Sequence, residues 1–132
     1  MITTKEYLMG RDKDYPLDML QAYNMADLLI RVNCLFKTLG VSPRVSSGYR
    51  PSAINKTIGG AKMSTHTICK GIDLLDQTKE LATLLKANLK LLEEYGLWLE
   101  NPDATKKKNP DGSFSYWVHL DTKERKNRVF IP

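Results

Sequence analysis

The order in which apolar periodicity changes along the chain predicts an α+β fold: a small, mainly antiparallel sheet with helices packed on one side. Three observations carry this. An apolar run with three- and four-residue spacing fills much of the first third, a leucine-rich run of the same period lies beyond the middle, and short strand-like segments flank and follow it. No repeat or linker interrupts the order, so residues 1–132 are taken as one domain. A chain of this length buries roughly 65–70% of the surface its unfolded form exposes, enough for a real core.

Pro16 suits a first helical position behind Asp14 or Tyr15. Met25, Leu28, Leu29, Val32, Leu35, Phe36 and Leu39 then share one face until Gly40 stops the helix. The stretch PRVSSGYR is too short for a helix and reads as a strand leading into a loop. Across PSAINKTIGGAKMSTHT there is no period, and Pro51, Gly59 and Gly60 predict a long surface loop of the kind that carries function. GIDLL reads as a short buried strand. A second helix starts near Asp76 or Thr78, places Leu81, Leu84, Leu85, Leu89, Leu92 and Tyr95 on one face, and stops at Gly96. LWLE, SYWVHLD and RVFI follow as strands. Between the first two, the Asn-Pro pairs and Asp-Gly of NPDATKKKNPDGS mark a loop with Lys106 to Lys108 as its solvated tip. Trp98, Tyr116 and Trp117 are expected to pack the sheet, with one of them lining a cleft.

Twenty Lys and Arg against fifteen Asp and Glu leave a formal charge of +5. Such an excess favours anionic partners without choosing among nucleic acid, membrane surface and cell wall. No helix concentrates the basic residues, so no nucleic-acid partner is expected. No window approaches the ~20 apolar residues of a membrane span, and MITTKEYLMGRDKDYP lacks the apolar run of a signal peptide. The protein is therefore expected to be made in the cytoplasm, without integral membrane association. Cys34 and Cys69 are expected to be free thiols.

The chain has only two histidines, His66 in STHTICKGIDL and His119 in SYWVHLD, and Asp73 follows His66 by seven positions. Two imidazoles and a carboxylate can make the three-ligand set of a catalytic zinc site, which leaves a position for water. His-Glu-x-x-His and Cys-x-x-Cys are absent, and on residue type alone lone histidines are more often structural.

The surrounding residues add to this. Ser47, Gly48, Tyr49, Arg50, Asn55, Gly59, Gly60, Ser64, His66 and Asp73, followed near the C-terminus by Trp117, Val118 and His119, resemble the two sequence blocks of the zinc D-alanyl-D-alanine carboxypeptidases and L-alanyl-D-glutamate endopeptidases. The resemblance spans roughly residues 44 to 132, and the tail, with Glu100 in its Gly-Leu-x-x-Glu strand, is similar to phage endolysin-type members with a Hedgehog-like metallopeptidase fold. It implies a zinc metallopeptidase acting on peptidoglycan stem peptides, with Zn²⁺ held by His66, Asp73 and His119. Bound there, zinc would acidify a water and polarise the scissile carbonyl. Arg50 would offer its planar fork of donors to a substrate carboxylate or carbonyl. Tyr49, Asn55 and Ser64 would join it in binding substrate, although Ser64 serves equally well as a turn former.

The general base is left between two acids. Several relatives place a carboxylate three positions before the last histidine, where this chain has Tyr116. Glu100, which ends LWLE, is favoured; Asp121, two beyond His119 and on the same strand face, is the alternative, or supports the ligands from behind. The family commonly has glycine at the position of Cys69 and alanine at that of Gly71, and a Cys69 thiolate would be a rival ligand unless it is merely a small loop residue. The expectation is a monomeric phage-type lysis enzyme that reaches the wall after release or within a virion. The alternative is a zinc-containing module of the same fold that binds wall or protein without cutting.

Overall fold

The computed structural model describes residues 1–132, the whole chain. It opens with a short helix that periodicity did not reveal, α1 (Thr4–Leu8), and a 3-10 turn at Arg11–Lys13. Thr3 and Glu6 cap α1 reciprocally, which lets so short a helix form. The long helix α2 runs Met19–Leu39, starting later than Pro16 suggested, because Asp18 and Gln21 make a capping box of their own. Gly40, at φ 70°, ends it as expected.

After β1 (Val45–Ser47) the expected loop holds a six-residue helix, α3 (Ser52–Thr57), too brief to display a period. β2 (Gly71–Leu75) follows. The second leucine run is two helices rather than one, α4 (Glu80–Lys86) and α5 (Leu89–Glu94). Asn88 breaks it: the residue leaves helical geometry at φ −128°, and its side-chain amide donates to the Leu84 carbonyl at 2.8 Å. α4 is capped from a distance, since the buried Asp76 carboxylate accepts the N–H groups of Leu81 and Ala82 at 2.9 and 2.8 Å.

β3 (Trp98–Glu100), β4 (Lys106–Lys108), β5 (Phe114–Asp121) and β6 (Val129–Phe130) complete the elements. The sheet order is β1-β2-β5-β3-β6 with β4 paired to β5, and every pairing is antiparallel except β3 with β6. Lys106 to Lys108 are thus an edge strand rather than a loop tip. The Asn-Pro-Asp-Gly signal marks only the hairpin turn, closed by Asn109 N–H to Ser113 O at 2.7 Å with Gly112 at φ 89°.

Side chains alternate across a strand. Ile72, Leu74, Leu99, Val118 and Leu120 fall on one face and join residues of α2, α4 and α5 in one core of 19 buried residues. The intervening positions, Asp73, His119, Asp121, Trp98 and Glu100, therefore share the other face, and that alternation builds the site.

Candidate metal centre

Strand pairing sets Asp73 directly opposite His119. His66 reaches them from the loop between α3 and β2. Ser64 folds that loop back: its hydroxyl accepts the His66 N–H at 3.2 Å and its carbonyl accepts the Thr67 hydroxyl at 2.8 Å, so Ser64 serves as the turn former while also lining the cleft. The Arg50 N–H then ties the His66 carbonyl to the segment after β1 at 3.2 Å. The ligating atoms of His66, Asp73 and His119 all lie within 4.8 Å of one another.

Hydrogen bonds fix which ring nitrogen of each histidine is free. His66 Nδ1 lies 2.8 Å from the Gly48 carbonyl, which can only accept, so Nδ1 carries a proton and Nε2 is the nitrogen that faces Asp73 Oδ2, 3.2 Å away. His119 is oriented the opposite way. Its Nε2 donates to Asp121 Oδ2 at 2.9 Å, leaving Nδ1 facing Asp73 Oδ1 at 2.8 Å. Burial pulls the His119 imidazole pKa down, but hydrogen bonds to Asp121 and Asp73 outweigh it and push it up to about 9. For Asp73 burial works upward, yet His66 and His119 hold the carboxyl well below the usual range. Two imidazole nitrogens and an ionised carboxylate, converging where a proton is already held between oxygen and nitrogen, suit a divalent cation of the zinc type.

Asp121 is fully buried behind His119. Its Oδ2 takes the imidazole proton and the Arg125 Nη2 donor at 2.9 Å each, with the Thr65 hydroxyl 3.5 Å away. Asp121 thus stands on the far side of the imidazole from Asp73 and does not line the cleft. Glu100 is the acid on the cleft, a hollow of about 280 Å³ lined also by Arg50, His66, Asp73, Trp117, His119 and Arg125. Burial raises its carboxyl pKa, opposed by His119 and assisted by Asp73 and Asp121. Tyr116 lies on the other strand face, because an offset of three on a regular strand reverses the side chain; its ring sits under Lys79 Nζ at 4.4 Å.

Arg50 is mostly buried, 3.6 Å from Asp73 Oδ2, with Nη1 donating to Asn55 and Nη2 to Ser47 at 3.1 Å each. Burial lowers its pKa while Asp73 works to raise it. Asn55 and Tyr49, expected at the substrate, are not on the cleft. Asn55 is buried and holds Arg50 and the Ala61 carbonyl; Tyr49 is a core residue whose hydroxyl donates to Tyr15 O at 3.1 Å. Arg125 and Thr65 went unnoticed in the sequence. Arg125 sits in the charge run DTKERKNR, where nothing distinguishes it from its neighbours, and Thr65 is masked by the more suggestive Ser64 and His66.

Cys69 does not join the cluster. Its thiol is buried and pushed up to about 11 by desolvation, which keeps it protonated and a poor ligand. It has φ 59°, the left-handed conformation that explains why glycine is common at this place. Both cysteines are free.

A profile of the Peptidase M15 family matches residues 7–99, more than half of the chain. The chain belongs to the Peptidase M15 family. No curated protein matches it. The matched span holds Arg50, His66 and Asp73 but stops short of Glu100 and His119, which the sheet brings alongside. M15 peptidases are zinc-dependent metallopeptidases, and this M15 member carries a His-Asp-His cluster that fits such a metal. No helix of the M15 peptidase is long and apolar enough to cross a membrane.

Proposed function

We propose that this M15 peptidase hydrolyses an amide bond in the stem peptides of bacterial peptidoglycan, as a lysis enzyme of phage type acting at the wall after release or within a virion. The single observation that carries the reading is the cleft in which His66, Asp73, His119, Arg50 and Glu100 meet. His66, Asp73 and His119 would hold Zn²⁺. Zinc bound there supplies Lewis acidity to the scissile carbonyl and to the attacking water.

The chain's own residues supply the rest. Gly48 and Asp121 hold the two imidazoles with Nε2 of His66 and Nδ1 of His119 turned inward, so neither ring must reorient on binding. Glu100, with its carboxyl pKa raised by burial, takes a proton from water and delivers it to the leaving amine. Arg50, clamped by Ser47 and Asn55, offers the remaining N–H groups of Nη1 and Nη2 to a substrate carboxylate or to the oxygen that gains charge during attack. Trp117 and Phe130 wall the cleft and limit water.

The deciding experiment is mass spectrometry of fragments released from purified peptidoglycan by the protein as isolated, after chelation, and after zinc is restored. A defined fragment that disappears with chelation and returns with zinc is the expected result and names the bond. Stoichiometric zinc without any fragment from walls of several chemotypes would overturn the reading in favour of a non-catalytic binder.

A further inference from the structure

The distal half of the β4–β5 hairpin, Lys106–Lys108 and Phe114–Tyr116, is used neither by the core nor by the metal cluster, yet it is rigidly built. Asn109 bonds Ser113 through its backbone and both Ser113 and Ser115 through its side chain, and the Gln77 side chain satisfies the Phe114 carbonyl and the Tyr116 N–H on the strand's free side. Its outer strand is three exposed lysines in a row. Lysine on an edge strand is an ordinary guard against strand-to-strand aggregation. The arrangement here goes further. Register puts Lys106 opposite Tyr116 and Lys108 opposite Phe114, so these lysines and rings share a face. Phe114 and Tyr116 stack at 6.1 Å, Lys106 Nζ lies 5.6 Å from the Phe114 centroid, and Lys79 Nζ, arriving from the start of α4, lies 4.4 Å from that of Tyr116.

Cation–π contact holds flexible ammonium groups in place while leaving them open to solvent, which reduces the ordering cost of meeting an anion. The row lies on the strand face opposite His119, and Trp117 connects the two sides. Trp117 lines both the cleft and a hollow of about 120 Å³ that it shares with Lys79, Lys86 and Tyr116. Of the acids nearby, Asp76 caps α4 and Asp111 is bonded to Ser113, which leaves Asp103 on the rim of the hollow and the exposed Glu80 beside Lys79.

We propose that Lys79 and Lys106, set by Tyr116 and Phe114, form with the exposed Lys108 a docking surface for an anionic polysaccharide of the wall, holding it while the attached peptide enters the cleft. This rests on the wall-peptidase reading, and charge complementarity selects the occupant: a row of fixed cations on a chain of net charge +5 fits a repeating polyanion.

The test uses the full-length protein with Lys106→Gln, Lys107→Gln and Lys108→Gln combined, all exposed positions whose change leaves the strand backbone intact. Sedimentation with purified walls should show binding weakened about tenfold or more at low salt, with a shallower salt dependence than the parent. Cleavage of a short soluble stem peptide should be unchanged. Equal binding by parent and variant, or equal binding to walls stripped of their anionic polymer, would overturn the proposal. So would parent binding to duplex DNA that is tighter than to walls and lost in the variant, which would assign the row to nucleic acid. Failure of the parent to cut the soluble peptide sinks the peptidase reading alone, since wall binding is read separately.

Discussion

Glu100 and Asp121 lie on one sheet face and differ in what their oxygens meet. Asp121 spends Oδ2 on the His119 imidazole and Arg125, while Glu100 opens on the cleft. Replacing each by its amide separates the two roles. Glu100→Gln should lower kcat by about 10²–10⁴-fold with bound zinc unchanged. Asp121→Asn should weaken zinc binding by about 10–100-fold, because the amide no longer fixes the proton on Nε2. Metal content and chelator competition, measured beside turnover, check both; the reverse pattern would exchange the assignments. Gly71 gives a third test. A Cβ there would lie 2.3 Å from Thr65 Oγ1 and 2.8 Å from His119 Cε1, so Gly71→Ala should displace the imidazole and cost zinc affinity, even though alanine is common at this place in the resembling family. Thr65→Ala in the same chain should restore part of the loss; no restoration would place the strain elsewhere.

At the scale of elements, the sequence disclosed what periodicity can disclose. The apolar face of α2, its stop at Gly40, the strands around Asp73 and His119 and the meeting of His66, Asp73 and His119 were all legible. Four features were not, each for a local reason. α1 and α3 are shorter than two turns; Asp18 outcompetes Pro16 as the start of α2; Asn88 divides a leucine run whose period continues through it; and the lysine strand is too polar to read as β. Tyr49 and Asn55 belong to the family block, but Tyr49 is packed in the core and Asn55 holds Arg50 from behind, which only packing could reveal. The Asp76 cap is the most consequential of these local devices. Its carboxylate satisfies two backbone donors in a buried setting, so Asp76→Ala should destabilise the fold by about 2–3 kcal/mol, read as a lower urea midpoint at unchanged slope. A loss below about 0.5 kcal/mol would mean that water replaces the cap.

Across the whole molecule, stability and metal binding are joined through one buried proton. In the chelated protein His119 has its pKa at about 9 against the usual 6.5. A folded value raised above the unfolded one stabilises fully below about 6.5 and ceases to do so as pH rises through about 9. Asp73 has the opposite sign: its pKa is lowered from 3.8, so its contribution is present above that value and disappears only as acid protonates the folded carboxyl. The chelated protein should therefore be most stable between these limits and lose melting temperature between pH 6 and pH 9. Zinc held by His66, Asp73 and His119 would take the place of the Nδ1 proton, and would then remove this alkaline loss and add binding energy of its own. The gain in Tm on adding zinc should then be small near pH 6, where the proton competes, and larger by several degrees near pH 9. Cys69, raised to about 11, acts only in a more alkaline window and leaves this comparison clear. Thermal melts with chelator and with zinc at the two pH values decide the matter: a gain independent of pH would show that the metal does not displace the His119 proton, and would remove His119 from the ligand set.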